Sequence, residues 1–168
     1  MSVGGLILLL IISISIFVMT TYADSWNYKI TCNGKWKIKL KKNTITKVSA
    51  SELINGLESD RDEVELTIKT KIPNPDWKVT VKRIDGNWPD GLDLYIKRTG
   101  DRQGIDGGQQ YAMVSNTETD FFMGELDEAK KIPIQFKLTG LGSVLFSLTP
   151  PANIETEIVY TVTEDLAP

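Results

Sequence analysis

ITCNGKWKIKLKK, residues 30 to 42, gathers the chain's single cysteine, an Asn-Gly pair and five lysines. Trp36, Ile38 and Leu40 alternate with Lys35, Lys37, Lys39 and Lys41, and a period of two marks a strand with one face buried and one in water. Just upstream, Trp26, Tyr28, Ile30 and Cys32 alternate in the same way with Asn27, Lys29 and Thr31. Asn-Gly between two such runs ordinarily closes a two-residue hairpin. Here that turn would pair Thr31 with Trp36 and Cys32 with Lys35, setting apolar residues of one strand beside lysines of the other. A one-residue slip in register flips a whole strand. The connection therefore either holds an odd number of residues, pairing Cys32 with Trp36, or carries the chain from one sheet to another. Both solutions send the lysines to solvent and make the stretch one wall of a β-sandwich.

The rest of the chain repeats the pattern. Val64, Leu66 and Ile68 alternate with Glu65, Thr67 and Lys69 as far as Ile72, and Trp77, Val79 and Val81 and then Leu92, Leu94 and Ile96 follow. Tyr111 to Ser115 and Phe121 to Met123 read as short strands and Ser143 to Leu148 as a less regular one. Ile132, Ile134, Phe136 and Leu138 form another alternation, in which Pro133 marks an edge strand or the start of a strand. Ile154, Thr156, Ile158, Tyr160 and Val162 close the series. Gly, Pro, Asn and Asp punctuate these runs, which predicts an all-β, antiparallel sandwich, immunoglobulin-like or jelly-roll-like, of about eight to ten strands. Ser49 and Glu52 have capping-box spacing, with Gly56 placed to end a single helical turn. Thr99 to Gln109, TGDRQGIDGGQ, reads as a surface loop.

The chain has 168 residues, and its first 23, MSVGGLILLLIISISIFVMTTYA, carry no charge. The apolar run from Leu6 to Met19, followed by Thr21 and Ala23 at small-residue spacing, reads as a secretory signal cut after Ala23. Residues 24–168 are then one sandwich domain outside the cell. A membrane partner enters only if the N-terminal segment is retained as an anchor. A single cysteine in an exported chain raises intermolecular pairing, but its place in the alternation makes Cys32 a small buried hydrophobe.

Composition excludes several kinds of chemistry. With no histidine, His-dependent triads and His-ligated zinc are ruled out. No phosphate-cradling glycine loop, CxxC pair or EF-hand series occurs, and no pair of carboxylates is singled out, so the chain is read as non-enzymatic. Nineteen basic residues stand against 22 acidic ones, and the lysine row fits a solvated edge strand or contact with an anionic surface better than nucleic acid. Charge is nevertheless segregated. Residues 24–48 hold seven lysines against Asp24, a net of +6, and residues 138–168 hold Glu155, Glu157, Glu164 and Asp165 with no base. Neighbouring strands within one domain, or head-to-tail attraction between subunits, both account for the split.

Three segments carry binding potential. In IDGNWPDGLD, residues 84 to 93, Asp85, Asn87, Asp90 and Asp93 surround Trp88, and GDRQGIDGG, residues 100 to 108, adds Asp101 and Asp106. Oxygen ligands suit calcium, and a tryptophan beside carboxylates suits a sugar ring; the same residues are those that turns demand. At the N-terminus of the cleaved chain, the face Trp26, Tyr28, Ile30 and Cys32 must be covered either by its own sheet or by the groove of a neighbouring subunit, which makes it a candidate donor strand.

TPPANIETEIVYTVTED, Thr149 to Asp165, resembles the closing strand of secreted fimbrial and spore-coat-type subunits, in which a proline-containing turn leads into a Thr-rich alternating strand. The resemblance implies an immunoglobulin-like sandwich that polymerises by strand addition. The chain departs from that pattern in lacking the disulfide that many such subunits contain. The expectation is a secreted structural or adhesive protein, a filament or coat subunit; the alternative is a monomeric extracellular module binding carbohydrate or calcium.

Overall fold

The computed structural model describes residues 11–20, 27–41, 56–73, 75–142 and 152–165. The strands are β1 (Ile11–Thr20), β2 (Tyr28–Gly34), β3 (Trp36–Lys41), β4 (Leu57–Glu58), β5 (Val64–Thr70), β6 (Trp77–Asp85), β7 (Asp93–Arg98), β8 (Ile105–Gly107), β9 (Ala112–Met113), β10 (Thr119–Gly124), β11 (Glu128–Thr139) and β12 (Ala152–Glu164). They form two packed sheets, so the protein is an all-β sandwich. The first sheet runs β3-β1-β12-β6-β10-β8; the second runs β2-β5-β11-β7-β9, with β4 also paired to β11. Every pairing among the described strands is antiparallel except that of β1 with β12.

The alternations read from the sequence supply the core. Leu66 and Ile68 from β5, Ile134, Phe136 and Leu138 from β11, and Leu94 and Ile96 from β7 are all buried. Trp77 and Val79 from β6 and Ile158, Tyr160 and Val162 from β12 are buried too. Burying each large apolar side chain contributes roughly 1.5 to 3 kcal/mol gross, which is why a period of two is so strongly held. Aromatic contacts join the elements: Trp36 of β3 stacks on Phe136 of β11 at 5.7 Å and 12°, and Trp77 meets Phe122 edge to face at 6.1 Å.

Of the two solutions for Asn33-Gly34, the structure adopts the change of sheet. β2 pairs with β5, with Cys32 opposite Leu66, while β3 pairs with β1 in the other sheet. Gly34 makes the crossing at φ 117°, and a Cβ there would run into the carbonyl oxygen of Glu63, so the position requires glycine. Lys35 and Lys37 are exposed.

Two sequence expectations are corrected. Pro133 neither lies at an edge nor opens its strand: β11 is the middle strand of its sheet and begins at Glu128. A shift of register between Ala129 and Ile132, with Lys131 at φ 52°, interrupts the ladder just before the proline, and bulges are where a sheet tolerates a residue that cannot donate. Thr99 to Gln109 is not wholly irregular, because β8 lies within it and pairs with β10. Arg98, 2% exposed, fixes this loop by donating to the carbonyls of Gly107, Gly100 and Ile105 at 3.1, 3.0 and 3.3 Å. The expected helical turn over 49–56 and the strand over 143–148 lie outside the described residues, apart from Gly56.

Candidate functional site

In the first sheet, the uncharged N-terminal segment occupies an interior position. Over nine residues β1 runs parallel to β12, from Ile12 opposite Ala152 to Thr20 opposite Tyr160. On its other side it runs antiparallel to β3, from Ile11 opposite Lys41 to Ile16 opposite Trp36. Directly paired residues share a face of a sheet, so the rows can be read across three strands. Ile12 is flanked by Leu40 and Ala152, Ile14 by Ile38 and Ile154, and Ile16 by Trp36 and Thr156. Trp36, Ile154, Thr156, Ile158 and Tyr160 are buried, so on β3 and β12 this row belongs to the core side of the sheet. The odd-numbered row sets Ser13 between Lys39 and Asn153, and Ser15 between Lys37 and Glu155.

The sheet thus holds a strand-sized slot, walled by β3 on one side and β12 on the other. Among the described residues β3 has no other ladder partner. An occupant that buried four branched apolar residues would contribute on the order of 6 to 12 kcal/mol gross, before association costs. The sequence does contain the signal for this strand: Ile12-Ser13-Ile14-Ser15-Ile16 alternates with a period of two. It is hidden inside a longer apolar run, whose length and lack of charge match an export signal.

The donor-strand candidates lie elsewhere. Tyr28 and Ile30, 4% and 2% exposed, belong to β2 and are covered by their own chain, and Cys32 is half-buried beside the core. Trp26 lies outside the described residues. Burial pushes the Cys32 thiol up to about 12. Of the two coverings weighed for this face, the structure takes the subunit's own sheet.

The loop after β6 is tied inward. Asp85 pairs with Arg83 at 2.5 Å, and the Arg83 guanidinium lies 4.4 Å above the Trp88 ring. Trp88 Nε1 donates to the Leu92 carbonyl at 2.6 Å, and Asn87 Oδ1 accepts from the Glu155 amide of β12 at 2.9 Å. Asp90 is exposed. Three of the four groups are thereby engaged within the protein, and Asn87 uses its oxygen to pin the turn against the strand that walls the slot. At the opposite end of β12, Asp76, Asp106, Glu125 and Asp165 rim an open depression. Among the described residues no three acidic or cysteine side chains converge in a way that could hold a metal ion.

The sequence matches no protein-family model and no curated protein. Function must therefore be read from the slot and its two walls.

Proposed function

We propose that the protein is an exported, non-enzymatic structural or adhesive sandwich, a filament or coat subunit that assembles by strand addition. The observation that carries the reading is the place of β1: an uncharged segment with the composition of an export signal fills an interior position of the first sheet. Cleavage after Ala23 removes that strand and leaves β12 with a free edge along Ala152–Tyr160. Such an edge accepts a strand from another molecule through main-chain hydrogen bonds, with alternate side chains giving selectivity. The neighbouring subunit then supplies outside the cell what the leader supplies in the precursor.

The test has two parts. N-terminal sequencing of exported protein is expected to begin at Asp24, and electron microscopy of the same material is expected to show polymers. A synthetic peptide of residues 11–20 is expected to bind the exported protein and to suppress polymerisation in proportion to occupancy. Exported protein that starts at Met1, or a monomer that ignores the peptide at high concentration, overturns the proposal. For the alternative, calcium or glycan binding at Asp85, Asn87, Trp88 and Asp90, the decisive observation is heat on titrating the intact protein with calcium or with oligosaccharides.

A further inference from the structure

The two walls of the slot are complementary to each other. β3 runs antiparallel to β1, and β1 runs parallel to β12, so β3 runs antiparallel to β12. Followed through β1, the register sets Trp36 against Thr156, both buried, and then Ile38 against Ile154 and Leu40 against Ala152. The same rows set Lys37 against Glu155 on the outer face, and two residues along each strand, one position past Trp36 and Thr156, the register continued sets Lys35 against Glu157. Removing the middle strand and moving β3 sideways by one strand spacing, about 4.8 Å, therefore yields a legitimate antiparallel ladder. It needs no change of face, and opposite charges meet across it. Cross-strand pairs of opposite charge favour pairing, and like charges oppose it. The charge segregation along the sequence, lysines in residues 24–48 and acids beyond 138, finds here a spatial counterpart: the basic strand and the acidic strand are separated only by an uncharged one.

We propose that in the chain starting at Asp24, β3 closes directly onto β12 and caps the slot, with Lys35 and Lys37 against Glu157 and Glu155 as the latch that an incoming strand must displace. The inference rests on the assembly reading above and adds its regulation. β3 is held beside the slot through the short crossing at Gly34 and Lys35, so it competes as an intramolecular ligand at high effective concentration. Monomers are thereby kept from pairing through β12 until a better strand arrives, and the latch weakens as salt rises.

Cross-linking tests the closure. In a Cys32→Ser background, Lys37→Cys with Glu155→Cys is expected to form an intrachain disulfide in monomeric exported protein under mild oxidation. In the full chain with its leader kept, the two positions are two strand spacings apart, about 9.5 Å, beyond the roughly 7 Å that a disulfide spans. No bridge is expected there. Hydrogen exchange on the unaltered monomer reports independently: amides of Trp36–Lys41 are expected to be protected with the leader absent. The double variant Lys35→Glu, Lys37→Glu is expected to take up the 11–20 peptide at least several-fold faster. Adding Glu155→Lys and Glu157→Lys is expected to restore the original rate.

An exported protein that begins at Met1 overturns the assembly reading and this inference together. A protein that begins at Asp24 and takes up the peptide, yet forms no bridge and leaves β3 unprotected, overturns closure alone. A bridge formed equally well in the full chain also overturns it, because the rows would then not be those described.

Discussion

At Cys32 the sequence and the structure meet on one side chain. Its place in the alternation Trp26, Tyr28, Ile30, Cys32 marks it as an apolar position, and the thiol lies half-buried against the core. Burial disfavours the thiolate and pushes the pKa up to about 12. Since only the thiolate attacks, alkylation by iodoacetamide at pH 8 is expected to run on the order of a thousandfold slower in the folded protein than in urea. Equal rates would show the thiol to be open to solvent. Gly34, next in the same stretch, was legible as a turn residue, but its task was not. That a Cβ would strike Glu63 depends on a strand some thirty residues away. Arg98 was illegible for a similar reason. Its acceptors are the Gly100 carbonyl and two carbonyls of the three-residue strand β8, and neither a turn nor so short a strand has a period from which a partner can be read.

Among the elements, the strands with a clean period of two were visible in the sequence: β3, β5, β6, β7, β11 and β12 each announce a buried face. The position of a strand within its sheet was less visible. Pro133 pointed to an edge, but a bulge absorbs it inside the central strand, and a bulge leaves no mark in the alternation itself. β1 was missed because hydrophobicity and periodicity compete over the same residues. Leu6 to Met19 is apolar enough to be read as a leader, and Ser13 and Ser15 are too few to break that impression. If β1 is integral to the first sheet of the full chain, Ile14→Asp puts a carboxylate in the row between Ile38 and Ile154. A loss of at least about 3 kcal/mol in denaturant unfolding is expected, together with rapid exchange along Trp36–Lys41. A variant of the full chain as stable as the original would remove β1 from the sheet.

For the molecule as a whole, the sandwich followed from patterning, whereas the segregated charge left neighbouring strands and attraction between subunits both open, and the structure sets β1 between the basic β3 and the acidic β12. The parallel ladder of β1 and β12 did not follow, because no local signal encodes a pairing between opposite ends of a chain. Buried phenols set the response of the whole molecule to alkali. Tyr160 is fully buried, and burial raises its pKa well above the ordinary value. A group whose pKa is raised on folding contributes its stability below the unfolded pKa and loses it as the pH climbs above that value. Above pH of about 10 the unfolded chain releases the proton that the folded chain holds, so Tyr160 alone is expected to lower stability by about 1.4 kcal/mol per pH unit. Tyr28 and Tyr111 are shifted upward as well, first through burial and then through nearby carboxylates. Urea titrations between pH 8 and 11 measure the slope, and Tyr160→Phe is expected to reduce it by that amount; an unchanged slope would assign the alkaline response to other groups.

The pairing of β1 with β12 also sets a clock. The residues that flank β1 on that side are 152 to 160, so the slot does not exist until nearly the whole chain has left the ribosome. At roughly 5 to 20 residues per second, the first strand waits on the order of ten seconds for the last. During that interval its apolar residues are free for any export machinery that binds uncharged segments, and the sheet offers no competition. On the export reading proposed above, secretion and folding would draw on the same ten residues in a fixed order, and the synthesis rate of residues 24–160 would determine how long the exporter acts unopposed. On that reading, slowing translation would lengthen the interval and favour export, whereas releasing a finished chain in one step, as refolding from urea does, gives the sheet the first claim.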